Sequence, residues 1–177
     1  YNGALSAGEV GTFVTPLAAP ANVNAAAGDG QVVLSWNAAA NASSYKIFRS
    51  LTSGGPYTQL TNVWATTFTD TALSNGVMYY YVIRAANAVG ESGNSLQVSA
   101  RPVSSVATNL TVGISGNQLQ LSWPADHTGW RLEAQTNTLA SGLGTNWVTV
   151  VNSAGTNQVI VPIVSTNGSV FYRLVYP

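Results

Sequence analysis

The sequence predicts an all-β fold built as two small sandwiches in tandem. Three observations carry this. Short apolar-alternating runs recur between polar turns across residues 31–102. The run Gln31-Val-Val-Leu-Ser-Trp36 returns in the C-terminal half as Gln118-Leu-Gln-Leu-Ser-Trp123. No helical periodicity of any length follows residue 15. Alternation of period two is the pattern of a strand with one buried face, and strands at short, regular spacing build sandwiches.

The elements follow in chain order. In residues 1–15, Ser6 is placed to cap a helical turn with Glu9 three positions on. Pro16-Leu-Ala-Ala-Pro20 reads as a linker, because proline blocks helix continuation and forces extended neighbours. Strands are then expected over 21–26 and 31–37, the second with Val32, Leu34 and Trp36 on its buried face. The run 44–50 turns Tyr45 and Ile47 one way and Lys46 and Phe48 the other. A short edge strand, 57–61, follows the Ser53-Gly-Gly-Pro56 turn. Residues 66–71, 77–87 (with Tyr79, Tyr81, Ile83 and Ala85 inward) and 95–100 complete the first set. After a second linker at Arg101-Pro-Val-Ser-Ser105, strands are expected over 109–115, 118–123, 130–136, 147–151, 158–163 and 169–176. Their turns, 115–117, 140–144 and 166–168, each supply a residue that tolerates positive φ. The expected division is 1–19, 20–102 and 103–177.

Composition limits the functions available. The chain of 177 residues has no cysteine, which excludes disulfides and thiolate metal sites. Charged residues are only 7%, with six bases against six acids, where soluble proteins average roughly 25%. Such a chain lacks the basic footprint that nucleic acid or an acidic membrane requires. No apolar run reaches the about 18 residues of a membrane span. Solubility falls to Asn, Ser, Thr and Gln, a surface suited to an extracellular protein and to hydrogen bonding with sugars. Because the chain opens at Tyr1 without a methionine, it reads as part of a longer exported polypeptide.

Residues 20–102 resemble a fibronectin type III domain of the bacterial kind. The resemblance rests on Trp36, Tyr45-Lys-Ile47, Phe68-Thr-Asp70, Leu73-Ser-Asn-Gly-Val-Met-Tyr79 and Ala85-Ala-Asn-Ala-Val-Gly-Glu-Ser92. It implies a seven-stranded immunoglobulin-like sandwich. It also implies a tyrosine corner, with the Tyr79 hydroxyl bonded to upstream backbone, and a spacer or adhesion role. There is no Arg-Gly-Asp loop, so integrin-type recognition is not carried over. Residues 103–177 echo the pattern, with Leu121-Ser-Trp123 matching Leu34-Ser-Trp36 and Trp130-Arg-Leu132 matching Tyr45-Lys-Ile47. The chain stops before an equivalent of the last strand, so a shorter, six-stranded relative is expected. Phe171-Tyr-Arg-Leu174 resembles the C-terminal module of large secreted proteins of verrucomicrobial-type bacteria. Tyr1-Asn-Gly-Ala-Leu-Ser-Ala-Gly-Glu9 is similar to the end of concanavalin-like (laminin-G) jelly-roll domains.

Catalytic chemistry finds little support. His127 stands beside Asp126 in Pro124-Ala-Asp-His-Thr-Gly129, but adjacent loop residues do not form a nucleophile's triad, and the segment reads as a solvated turn. Glycosidases need paired carboxylates, whereas Glu9, Asp29, Asp70, Glu91, Asp126 and Glu133 are scattered. Asp70 falls where the resemblance places a turn-capping acid. No calcium loop, zinc cluster or nucleotide loop is present, and no cofactor is expected.

Aromatics carry the remaining signal, because a sugar's C–H face stacks on an aromatic ring. Trp36, Trp123, Tyr79 and Tyr81 fall on buried faces, and Trp130, as the counterpart of Tyr45, is assigned to the core. Trp64, Trp147, Tyr57, Phe48 and Tyr80 are the ligand-stacking candidates, with Phe48 and Tyr80 expected to form a cross-strand pair. Packing is the competing role for each. The resulting expectation is a non-catalytic accessory region of a secreted bacterial protein. It acts as spacer and weak polysaccharide binder attached to a polysaccharide-degrading enzyme, beside upstream domains of the same polypeptide, without nucleic-acid or membrane partners. The alternative is a structural or adhesive stalk.

Overall fold

A computed structural model describes residues 16–138, 140–164 and 168–177. The expected Ser6 cap, the jelly-roll resemblance of the first residues and Asn167 in the last turn lie outside the described residues. The chain folds as two tandem immunoglobulin-like sandwiches. In the first, β1 (Ala21–Gly28), β2 (Gln31–Asn37) and β5 (Thr67–Asp70) form one sheet in the order β1-β2-β5. The facing sheet, β4-β3-β6-β7, contains β4 (Thr58–Val63), β3 (Ser44–Ser50), β6 (Tyr79–Ala86) and β7 (Val98–Ala100).

Period-two alternation places the core as the sequence predicts. Val32, Leu34 and Trp36 from one sheet meet Tyr45, Ile47, Tyr79, Tyr81, Ile83 and Ala85 from the other. Trp36 packs edge-on to Tyr45, ring centroids 5.4 Å apart, the arrangement that aromatic quadrupoles favour. The tyrosine corner is present, with the Ser74 N–H donating to the Tyr79 hydroxyl at 3.1 Å. At one end of the interior Asp70 is buried and holds the Arg49 guanidinium through both oxygens. It also accepts a 2.9 Å bond from the Tyr81 hydroxyl. Asp70 thus anchors a network between the sheets and does not serve as a turn cap. Burial, then the bond to Asp70, pushes the Tyr81 phenol well above its ordinary range.

The last strand of this sandwich starts later than the alternation suggests. Over 92–95 serine hydroxyls replace part of the ladder. Ser92 and Ser95 accept from the N–H groups of Ala85 and Ile83 through their hydroxyl oxygens, while their own N–H groups donate to the same residues' carbonyls. Regular pairing begins only at Val98.

The second sandwich has the sheets β12-β9-β8 and β11-β10-β13. Its strands are β8 (Thr111–Ser115), β9 (Gln118–Ser122), β10 (Arg131–Asn137), β11 (Val148–Thr149), β12 (Gln158–Pro162) and β13 (Ser169–Val175). These are six strands among the described residues. Leu121, Trp123 and Leu132 form the core, flanked by Leu119, Val159, Val161, Tyr172 and Leu174. Two 3₁₀ turns, Ala125–His127 and Ser153–Gly155, interrupt the strands. The expected strand over 147–151 shrinks to Val148–Thr149, because the chain turns back through the Ser153 hydroxyl, which accepts from the Leu132 N–H.

Candidate functional site

Two kinds of surface qualify as candidates: the off-core aromatics and the junction between the sandwiches. The aromatics do not converge. Phe48 and Tyr80 share the outer face of the four-stranded sheet, but register pairs Phe48 with Val82 and Tyr80 with Ser50. They are therefore diagonal neighbours across β3 and β6, on one face as expected. Arg84 lies over the Phe48 ring instead, its guanidinium carbon 4.6 Å from the centroid. Tyr57 precedes β4 and is half-buried. Its hydroxyl donates to Gln97 at 2.5 Å, and Gln97 also accepts from the Gly54 N–H, which ties the β3–β4 loop to the segment entering β7.

Trp64 stands in the bend between β4 and β5 and is 82% exposed. Its neighbour Thr66 accepts from the Trp36 N–H, and Asn37 is the register partner of Ala21. Trp64 therefore marks the pole where β1 begins. Trp147 belongs to the second sandwich, half-buried ahead of β11. Arg173 stacks on it at 4.2 Å while donating to Glu133. Hydrogen bonds from Arg173 first, and then from Arg131, hold the Glu133 carboxyl below its usual range. Beside this group the β10–β11 loop is fixed by amides. Buried Gln135 donates to Asn146 at 2.6 Å and accepts from the Gly144 N–H at 3.0 Å.

The junction is built by residues that alternation cannot reveal. Asp29, in the β1–β2 turn, accepts from the Ser105 hydroxyl at 2.5 Å, the Ser105 N–H at 3.0 Å and Asn75 at 2.7 Å. These bonds, the Ser105 hydroxyl foremost, hold its carboxyl down at about 2. Asn75 also caps the turn by accepting from the Gly30 N–H. The Gly76 N–H donates to the Pro102 carbonyl. At Gly76 φ is +80° and a Cβ would lie 2.4 Å from the Ala125 carbonyl of the second sandwich. Only glycine permits both that backbone conformation and that approach.

From the other side, the Ser104 N–H donates to the Asp126 carbonyl and the Trp130 indole donates to the Ser104 carbonyl at 2.8 Å. His127 is 4% exposed, so the solvated turn expected there is corrected: the ring is buried against the linker. Its Nε2 lies 2.6 Å from the Val106 carbonyl and its Nδ1 lies 2.6 Å from Asp126. Trp130 is buried as expected but against this layer, between His127 and Tyr176. Among the described residues, the His127 ring nitrogens meet Asp126 and the Val106 carbonyl, and no hydroxyl is bonded to either. Among the described residues every Asp and Glu side chain is already engaged by a protein donor, and no cluster of potential metal ligands occurs.

Similar proteins place the chain in context. No family model matches it. An amylopullulanase of Thermoanaerobacterium saccharolyticum is 33% identical over 151 residues, which is 83% of this chain and 12% of that protein. An amylopullulanase of Thermoanaerobacterium thermosulfurigenes is 37% identical over 123 residues, 68% of this chain and 6% of that protein. The chain thus spans a small fraction of the curated relatives it matches. Among solved structures, an Fn3-like protein from Clostridium thermocellum aligns at 33% identity and TM-score 0.46. The alignment takes in 52% of this chain and 100% of that one. By strand order, register and tyrosine corner, β1–β7 form a fibronectin type III-like module, joined to a second immunoglobulin-like sandwich in a chain homologous to part of an amylopullulanase.

Proposed function

We propose that this chain is a non-catalytic accessory region of a secreted, carbohydrate-active polypeptide. It spaces and orients a neighbouring enzyme domain and contacts polysaccharide weakly through exposed aromatics. The observation that carries this reading is the match to amylopullulanase, which takes in most of both sandwiches yet only 12% of that enzyme. The junction supports a spacer role, since buried and charge-assisted bonds oppose free rotation between the modules. The engaged carboxylates support a non-catalytic role. The division into 20–102 and 103–177, after a linker segment 1–19, is part of the proposal. So are the jelly-roll resemblance of the first residues and the verrucomicrobial-type C-terminal module.

Within this reading Trp64 is the leading stacking residue, because its ring is open. Trp147 follows, sharing one face with Arg173. Phe48, Tyr80 and Tyr57 are secondary, because Arg84 and Gln97 already occupy Phe48 and Tyr57. A pull-down on insoluble starch and other polysaccharides, with Trp64→Ala and Trp147→Ala variants, tests the binding part. Retention by the parent chain that drops in Trp64→Ala is expected. No retention on any polysaccharide sinks the binding role and leaves the spacer. The same fixed junction also favours a stalk, for which concentration-dependent polymers in the electron microscope would be decisive.

A further inference from the structure

The junction between the sandwiches holds a reactive dipeptide. An asparagine followed by glycine deamidates more readily than other asparagine pairs, because glycine has no side chain to hinder attack by its own backbone nitrogen. Of the Asn-Gly pairs in this sequence, Asn75-Gly76 lies where the first sandwich meets the linker and the second sandwich.

The fold needs both residues of this pair. The half-buried Asn75 side chain is bonded at each end. Its Oδ1 accepts from the Gly30 N–H at 2.8 Å, and its Nδ2 donates to Asp29 at 2.7 Å. A residue at 75 without both a donor and an acceptor leaves Asp29 or the Gly30 N–H short of a partner. Gly76 has φ of +80°, and an added Cβ would lie 2.4 Å from the Ala125 carbonyl, so a side chain there is refused. The residues that build the contact are the residues that react.

The same contacts hold the reaction back. Ring closure requires the Asn75 Cγ to swing onto the Gly76 nitrogen, and that nitrogen to give up its proton. In the folded junction the amide is tied at both ends. The Gly76 N–H donates to the Pro102 carbonyl at 2.8 Å. The residue before the pair is fixed as well, through the Ser74 N–H that donates to the Tyr79 hydroxyl. Attack therefore waits for a local opening that breaks these bonds.

We propose that Asn75-Gly76 is a guarded deamidation site, shielded while the junction is closed, and that its modification prevents the junction from closing again. The reaction consumes only water. The Gly76 nitrogen bonds to Cγ, the Cγ–Nδ2 bond breaks, and ammonia leaves with the proton that the Gly76 nitrogen gives up. Water then opens the succinimide. Addition at Cγ breaks the new bond and yields aspartate. Addition at the main-chain carbonyl of residue 75 breaks the original peptide bond and yields isoaspartate. An aspartate there sets a second carboxylate against Asp29 where a donor stood, and like charges at that range repel. Isoaspartate adds a methylene to the main chain just before Gly76, where the backbone meets Pro102 and Ala125.

The test follows residue 75 by peptide mapping and mass spectrometry at neutral pH, in the folded chain and in guanidinium. Modification of the folded chain should be slower by about tenfold or more, as for a group that reacts only from an open state. Asp29→Ala, which frees Asn75 and Ser105, should speed the folded-state reaction severalfold and leave the rate in guanidinium unchanged. Ser105→Ala serves if the melting curve shows that Asp29→Ala does not fold. The fraction modified at residue 75, and Asn75→Asp, should both give a wider distance distribution in small-angle scattering. Equal rates in the folded and unfolded chain, or folded rates indifferent to the junction variants, would overturn the guard. A scattering profile unchanged in the modified fraction would overturn the failure to close.

Discussion

The Asp29 carboxylate and the Ser105 hydroxyl meet at 2.5 Å, across 76 positions of sequence, and this contact ties the first sandwich to the linker that enters the second. The bond holds the Asp29 carboxyl down at about 2, against roughly 3.9 for a free aspartate. A carboxyl depressed in the folded state contributes stability above its unfolded value and loses it as pH falls toward the folded one. The junction is therefore expected to loosen between about pH 4 and pH 2 while each sandwich stays folded. Small-angle scattering would record a wider distance distribution over that window. Asp29→Asn should show the wider distribution already at neutral pH. A profile that is flat from pH 5 to 2 would count against the contact.

Gly76 and Gly116 separate backbone strain from collision. Both have positive φ, but a Cβ on Gly116 meets nothing within 4 Å, whereas one on Gly76 meets the Ala125 carbonyl at 2.4 Å. Gly116→Ala is expected to cost about 1–2 kcal/mol, the penalty of a left-handed alanine. Gly76→Ala should cost more, and should also separate the modules in scattering. Urea denaturation of the two variants measures the difference. Equal losses would mean that Ala125 yields freely.

Tyr81 and Asp70 form the polar centre of the first core. Tyr81→Phe removes the donor to a buried carboxylate and is expected to destabilise by about 1.5–3 kcal/mol. Asp70→Ala also leaves Arg49 without its partner, so its loss should be larger. Because burial raises the Tyr81 phenol, ultraviolet titration of the folded chain should show it silent where ordinary tyrosines ionise, near about pH 10. Ionisation of every tyrosine together below unfolding would contradict the buried placement.

Trp64 and Trp147 should differ in stability as they differ in environment. Trp64→Ala is expected to stay within about 0.5 kcal/mol of the parent, as for other exposed positions. Trp147→Ala loses the Arg173 stack and is expected to cost roughly 1 kcal/mol. Chemical denaturation of both gives the comparison, and a large loss at Trp64 would show that its ring is packed.

The strands were readable because their signal is local. Val32, Leu34 and Trp36 alternate with Val33, Ser35 and Asn37, and that alone assigns faces. The same holds for the strand from Arg131, where Leu132 enters the core and Arg131 and Glu133 pair on the opposite face, which Arg173 and Trp147 cover. Serine blurred the end of the first sandwich, because its hydroxyls at Ser92 and Ser95 can replace backbone partners that a hydrophobicity pattern presumes. Parity put Phe48 and Tyr80 on one face of neighbouring strands, but their diagonal offset is a matter of register, a quantity that no single strand contains. His127 was misread because its burial comes from Val106, 21 residues earlier.

The sequence by itself determined the all-β class, the strands, the two Leu-Ser-Trp cores and the tyrosine corner, because alternation and turn chemistry act over a few residues. Tertiary structure alone decided the junction, because Asp29, Asn75, Gly76, Ser104, Ser105, His127 and Trp130 must converge on it from distant segments.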